Sequence, residues 1–304
     1  IEPDKDYNRT VLTIAGVPEA VSEAAFEIIK SSYENIDMAS HVGEHPRIGA
    51  VDVCPFVPLK GVTMEECADL ARNLALRVSN ELELPTFLYG AAATSPEREL
   101  LSDLRKGQYE GFKTRLENGG PNLPDHGPKV WNEKVAKFGA VVIGARKILV
   151  AYNVNVAEKD AKSARIAGSL VRSSGRLLKQ DDGRKCRIPG MLPMVQGMGL
   201  PLEYHGISQV SMNLRDVSIT PMHIAFEAVK TIVADHGIET CGSELVGLVP
   251  LSAILESGRW YASADCNDEN ELVNAAIEGL GLDYLSPFDP HERIIEWALK
   301  KDVE

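Results

Sequence analysis

Apolar positions along the chain recur at two spacings, and the switches between them outline its elements. "RTVLTIAG" (Arg9–Gly16) is a β-branched run closed by glycine and predicts a strand. "VPEAVSEAAFEIIKSSYENI" follows with Val21, Ala24, Ala25, Ile28 and Ile29 at helical spacing. "RIGAVDVCPFVPL" predicts a second strand, interrupted late by prolines. The clearest helix is "GVTMEECADLARNLALRVSNELEL", where Thr63 and Glu66 form a capping box. Its buried stripe is predicted at Cys67, Leu70, Ala71, Leu74, Val78 and Leu82, and "PTFLYG" then reads as a strand.

From Ala91 to Lys137 the chain is polar and rich in glycine and proline, as in "ENGGPNLPDHGPKVWNEK". This predicts a long loop, and long loops inside compact proteins are usually functional. "AVVIGARKILVAYNVNV" is β-branched and apolar, with a break predicted at Gly144. A helix over 159–173, a Gly/Pro/Met-rich segment "RIPGMLPMVQGMGLPLEYHG" and the alternating strand "ISQVSMNLRDVSI" come next. "TPMHIAFEAVKTIVADHG" predicts a helix with Thr220 as N-cap, Pro221 at its first position and an end at Gly237. "ETCGSELVGLVP" is a further strand, and two helices are predicted after it. Strand–helix–strand thus occurs in both halves, without a sequence repeat. The expected architecture is α+β, with two subdomains over 1–146 and 147–304 and sheets covered by helices on one face. A ligand between the halves is the default expectation.

Composition narrows the function class. The net charge of −12 argues against nonspecific binding of nucleic acid or anionic membranes, so an anionic substrate needs a local basic pocket. No apolar run approaches the roughly 18–20 residues of a membrane span. The five cysteines (Cys54, Cys67, Cys186, Cys241, Cys266) form no C-x-x-C pair, which suggests neither a zinc site nor a disulfide framework and fits a reducing, cytoplasmic setting. The polar opening "IEPDKDYN" has no initiator Met and no signal-peptide character, and residues are expected upstream of it.

Phosphate-loop, H-E-x-x-H and G-x-S-x-G signatures do not occur in the sequence. The sharpest feature is "SHVGEHPRIGAVDVCPF", which holds His45 in a turn before a strand, with Glu44, Arg47 and Asp52 close by. An imidazole, with an ordinary pKa of about 6.5, suits proton transfer near neutrality. The alternative is a loop histidine that caps a strand through a backbone carbonyl. Arg9 (after Asn8), Arg47 and Arg146 are candidate carboxylate clamps at strand edges, while Lys147 reads more simply as a surface cation. His223 is either a site residue or a structural first-turn histidine. Glu244 is a strand-edge residue or a placed acceptor, and Trp131 a stacking platform or a packing anchor.

Taken together, "NRTV", "IDMASHVGEHPRIGAVDVCPFVPLKGVTMEEC", "PTFLYGAAA", "GARKILVAYNVNV", "QVSMNL", "SELVGLVPLSAI" and "LSPFDPHERIIEWAL" resemble the glutamate formimidoyltransferase family over nearly the whole chain. The resemblance implies two ferredoxin-like α/β subdomains with facing sheets, helices on the outer faces and folate in a tunnel between them. It implies transfer of a formimino group from N-formimino-L-glutamate to tetrahydrofolate, the co-substrate, with no metal. The family's G-E-H-P-R motif carries the catalytic role to His45. Substrate contacts are implied at Asn8, Arg9, Arg47, Asp52, Arg146, Asn213 and Glu244, and in a folate loop from Gly127-Pro128 to Gly139, where this chain is longer than its relatives. A segment like "V-P-N-F-S-E-G" that opens the family pattern is absent from this sequence, and the family's aspartate before N-R-T has Glu2 or Asp4 as its candidates here. Homodimerisation is also expected. Rival readings keep the fold with a formyl donor or 5-formyl-tetrahydrofolate as substrate, or make the chain a folate binder without catalysis.

Overall fold

The computed structural model describes residues 1–4, 8–43, 45–120 and 122–301; Glu44 and the side chains of Glu2, Asp4 and Lys301 lie outside that description. Two compact units divide the chain, Ile1–Lys147 and Ile148–Glu304. Both mix helix and strand, in keeping with α+β character.

The first unit is built on three parallel strands in the spatial order Val53–Phe56, Val141–Ala145, Thr86–Gly90. Parallel strands are buried on both faces and read as unbroken apolar runs. Val141–Ala145 fits, being buried at every position. Helices Pro18–Asn35 and Met64–Arg77 cover one face, bringing Phe26, Ile29, Ala71 and Leu74 against Leu88, Val141 and Ile143. The capping box forms as predicted: the Glu66 amide donates to Thr63 Oγ1 and the Thr63 amide to the Glu66 carboxylate.

The second face is covered as well. Leu104, Phe112, Leu116 and Val135 pack on Ile48, Phe87, Tyr89 and Val142. The expectation of helices on one face only fails for this unit, because its central strand is apolar on both sides and both are covered. The covering residues come from the stretch predicted to be structureless. It forms helices Leu101–Leu104, Phe112–Asn118 and Glu133–Phe138, too short for a periodicity signal but each with an apolar anchor. A further correction concerns Gly144, which continues its strand. A Cβ there would lie 2.2 Å from the Tyr89 carbonyl oxygen and 2.4 Å from its ring, so glycine admits the neighbouring tyrosine. The predicted first strand shrinks to Arg9–Val11, paired antiparallel with Glu2–Asp4, and Leu12 and Ile14 are exposed.

The second unit carries a four-stranded antiparallel sheet in the order Thr240–Val246, Val150–Val156, Ile207–Leu214, Val195–Leu202. Helices Lys162–Val171, Met222–Ala234, Leu251–Tyr261 and Glu269–Leu280 cover one face, around Tyr152, Val154, Val210, Met212 and Leu214. Strand alternation puts Asn153, Asn155, Gln209, Ser211, Asn213 and Glu244 on the other face. Val195–Leu202 arises from the Gly/Pro/Met-rich segment, which predicted no element. Its Gly199 lets helix Lys162–Val171 approach, since a Cβ there would lie 2.1 Å from the Arg165 amide nitrogen. Arg176–Lys179 and Lys185–Ile188 add an exposed hairpin.

Thr220 is not the cap of its helix. Its hydroxyl donates to the Pro193 carbonyl at 2.6 Å, and Pro221 takes the N-cap position. More helices than the two expected follow the last strand, because short turns Pro290–Arg293 and Ile295–Lys301 succeed the longer pair. Among the described residues no helix is long and apolar enough to cross a membrane.

Candidate active site

His45 sits in the turn that leads to strand Val53–Phe56, and that turn is held by groups from distant parts of the first unit. Asn8, in a left-handed conformation (φ 47°), donates from Nδ2 to the Val42 carbonyl at 2.7 Å. The Asn8 carbonyl accepts from His41 Nε2 at 3.1 Å, while Arg47 Nε donates to His41 Nδ1 at 3.4 Å. Because an arginine Nε–H can only donate, Nδ1 of His41 is the acceptor in this pair.

Arg47 is buried, 8% exposed, and its guanidinium grips Glu110 with both arms at 2.6 and 2.9 Å. The same guanidinium donates to Gln108 Oε1 at 3.4 Å, and the Arg47 carbonyl accepts from the Tyr109 amide at 2.9 Å. Asp52 accepts from the Ile48 amide at 3.0 Å and from Arg105 Nε at 3.1 Å, and Arg105 Nη2 reaches its other oxygen.

The charges around His45 are mostly positive. Burial, then the Arg105 guanidinium, hold its pKa below the usual 6.5; Asp52 opposes, and Arg9 and Arg47 add to the depression. Arg47 in turn holds Glu110 below the ordinary carboxylate range, chiefly through their hydrogen bonds. Tyr89, buried under the same layer, is pushed up by desolvation, with Arg146 opposing. Burial pushes the Cys54 thiol up to about 12, so it is no nucleophile. The arrangement can present a neutral imidazole as a base beside a field that attracts anions.

The predicted residues fall into four sets. Asn8, Arg9, Arg47 and Asp52 gather around the His45 turn. The forks of Arg47 and the oxygens of Asp52 are already occupied by protein partners, because a buried charge needs a satisfied partner. Arg146 follows strand Val141–Ala145, donates to the Lys147 carbonyl at 3.1 Å and lies beside Tyr89. The Gly127–Gly139 segment is pinned at its two glycines (φ 83° and 79°), where a Cβ would approach Leu84 and Ile48 carbonyl oxygens to 2.3 Å. Pro128, next to the first of them, is half-buried. Trp131 inside it packs on Tyr109 and Phe112, with ring centroids 5.9 and 6.2 Å away, which favours the packing-anchor reading.

In the second unit Glu244 Oε2 accepts from Asn153 at 3.1 Å and from Gln209 at 2.9 Å. Gln209 also donates to Asn155 Oδ1 at 2.9 Å, and the buried Asn155 Nδ2 has no hydrogen-bond partner. Asn213 shares this polar face, opposite Ala151 and Gln196. His223 is 6% exposed and stacked on Trp260 at 5.1 Å, and burial lowers its pKa, the structural alternative for that residue. Sequence reasoning missed His41, Arg105, Gln108 and Glu110, and also Asn155 and Gln209. The latter two were visible as alternating amides in "AYNVNV" and "ISQVSMN"; the former group carries no local pattern. Among the described residues no group of three or more His, Cys, Asp or Glu could hold a metal ion.

Two units that mix helix and strand, one carrying a histidine among guanidiniums and the other an amide-lined sheet face, have the polar groups of an enzyme of small-molecule chemistry. Sequence comparison makes the class specific. Residues 1–146 match the N-terminal subdomain of the formiminotransferase domain and residues 151–300 match the formiminotransferase domain itself, so this chain belongs to the formiminotransferase family. Glutamate formimidoyltransferase from Streptococcus pyogenes serotype M1 is 35% identical over 271 residues, covering 89% of this chain and 84% of that protein. The Thermoplasma acidophilum protein of the same name is 37% identical over 280 residues, 91% and 86% of the two chains. The Mus musculus formimidoyltransferase-cyclodeaminase is 41% identical over 302 residues, covering 98% of this chain but 53% of that protein. The chain spans about half the length of the formimidoyltransferase-cyclodeaminases it matches.

Proposed function

We propose that this chain is a glutamate formimidoyltransferase, moving the formimino group of N-formimino-L-glutamate to N5 of tetrahydrofolate, with His45 as general acid and base. The observation that carries the reading is an imidazole set among three guanidiniums, with burial and those cations lowering its proton affinity, within a formiminotransferase-family chain. N5 attacks the amidine carbon, forming a C–N bond and a tetrahedral centre. His45 takes the proton from N5 and returns it to the glutamate nitrogen, whose bond to carbon then breaks. The products are 5-formimino-tetrahydrofolate and glutamate, and protons balance across the two steps. A single positioned group of this kind contributes roughly 10²–10⁴-fold, and holding two substrates together supplies much of the rest.

Arg9 and Arg146 are the arginines assigned to substrate carboxylates, since Arg47 is committed to Glu110. Asn213, Glu244 and the Gly127–Gly139 segment are assigned to folate or donor contacts, and Glu244, as an acceptor, favours an amidinium over a formyl oxygen. The C-terminal unit follows the ferredoxin-like βαββαβ path; its antiparallel strand order supports this. A cytoplasmic homodimer completes the proposal.

The test mixes the protein with N-formimino-L-glutamate and tetrahydrofolate and reads acid-converted methenyl-tetrahydrofolate by absorbance, beside His45→Ala. Activity in the wild type that drops by about 10²-fold or more in the variant supports reaction and residue together. A wild type that works only with formyl donors moves the assignment to the rival donor. A wild type that binds folate and transfers nothing makes it a binder. An unaffected variant reduces His45 to a strand cap.

A further inference from the structure

We propose that Arg105–Glu110 is a clasp that holds the His45 turn in working geometry, with Arg105 acting through Asp52 and Glu110 through Arg47 as positioning residues; the proposal rests on the acid/base assignment of His45 above. The two ends of the clasp meet the two ends of the turn segment. Arg105 closes on Asp52, and Glu110 closes on Arg47 with both carboxylate oxygens. Between them the Tyr109 amide donates to the Arg47 carbonyl, and Gln108, in a left-handed conformation (φ 53°), turns its amide oxygen to the same guanidinium. Gly107 precedes it at φ 80°, so the backbone is coiled tightly enough to bring Arg105 and Glu110 to the same turn. The contacts cross more than fifty positions of sequence, and backbone and side chains agree in direction.

The pairing is asymmetric in a way that separates two roles. Arg47 is 9% exposed at its side chain but Glu110 is 63% exposed. A buried guanidinium facing one solvent-exposed carboxylate has two readings: Glu110 anchors the turn, or it occupies a fork meant for a substrate carboxylate. The anchoring reading is favoured by the backbone bond from Tyr109 and by the parallel Arg105–Asp52 pair, neither of which a substrate would replace. Among the described residues, four charged groups bear on the imidazole: Arg105 and Asp52, Arg9 from its strand, and Arg47 on its own turn. Removing Arg105 subtracts the largest of the cationic influences and releases the Asp52 carboxylate, and both changes favour protonated His45.

The test uses Glu110→Gln and Arg105→Gln, with Glu110→Asp and Arg105→Lys as conservative partners, in the whole chain. Steady-state kinetics are measured against pH, and the His45 ring is titrated by NMR, which needs no turnover. Glu110→Gln is expected to lower kcat by about 10- to 100-fold, the scale of a misplaced catalytic group, with KM for both substrates nearly unchanged. Arg105→Gln is expected to move the His45 titration and the acid limb of kcat/KM upward by about half to one pH unit. Glu110→Asp and Arg105→Lys should recover part of each loss. A lower KM in Glu110→Gln would assign Glu110 as a placeholder for substrate and overturn the clasp. So would an unmoved His45 titration in Arg105→Gln. If the wild type transfers no formimino group the functional reading fails, while the NMR titration still decides the clasp.

Discussion

Arg98→Met tests whether the polar stretch between strands Thr86–Gly90 and Val141–Ala145 is held by one buried ion pair. Asp125 and Arg98 have side chains only 8% and 12% exposed. Asp125 accepts from the Leu88 amide at 2.8 Å, from Thr94 Oγ1 at 2.7 Å and from Arg98 Nη1 at 2.6 Å, and Arg98 Nη2 donates to the Leu123 carbonyl at 2.6 Å. Methionine keeps the stem and deletes the charge, leaving a buried carboxylate with two of those three donors. Breaking a buried pair from one side costs about 3–5 kcal/mol. The lower end applies because burial, followed by repulsion from Arg98, already pushes Arg115 down to about 10, and deleting Arg98 relieves that repulsion. A loss of about 3 kcal/mol corresponds to a drop in Tm of roughly 6–12 °C for a unit of this size. Urea and thermal unfolding followed through Trp131, in a Trp260→Phe/Trp297→Phe background, reads the first unit directly. Asp125→Asn and the double variant complete the cycle, in which coupling of 1.5 kcal/mol or more is expected within the usual range for contacting residues, about 0.5–3 kcal/mol. A loss below about 1 kcal/mol, or additive single effects, would show that the stretch is held by its apolar anchors alone.

Two further perturbations probe the same unit. Gly144→Ala places a Cβ 2.2 Å from the Tyr89 carbonyl oxygen, and overpacking at a site that cannot yield should cost about 3 kcal/mol; wild-type Tm would contradict the strand register. Asn132→Ala removes the side-chain acceptor for the Val135 amide at 2.9 Å, an N-cap loss of about 1 kcal/mol that should lower the urea midpoint with the m-value unchanged; an unmoved midpoint would contradict the cap.

Legibility in the sequence followed the length scale of the signal. Helix Met64–Arg77 was readable because its capping box and apolar stripe are local, spaced within a few residues. The alternating strand Ile207–Leu214 was readable for the same reason, and it carried Asn213 to the polar face. The short helices of Ala91–Lys137 were not, because one turn of helix gives no period to detect; Phe112 and Leu116 show their role only against Phe87 on a distant strand. His45 stood out by its neighbours in sequence, while Arg105 and Glu110 did not, since their partners Asp52 and Arg47 lie more than fifty residues away. Gly144 and Val195–Leu202 were misread for one shared reason: glycine marks either a break or a close approach, and only the packed neighbour (Tyr89 or the Arg165 backbone) decides which.

The charges around His45 also explain how one residue can serve both halves of the proposed transfer. Cations lower the proton affinity of the imidazole, so it is a free base at neutral pH when N5 must lose its proton. The same field makes the imidazolium a stronger acid when the glutamate nitrogen must gain one. Too deep a depression would defeat the first step, because catalysis by proton transfer is best when the pKa lies near the working pH. Asp52 opposes Arg105, Arg9 and Arg47 and limits the depression. The acid limb of the rate profile should therefore lie below the ordinary histidine value of 6.5. Asp52 and Arg105 thus act as one unit: their pairing fixes two opposing charges beside the turn, and losing Arg105 would leave Asp52 to raise the proton affinity of His45 and weaken it as the base for the first step.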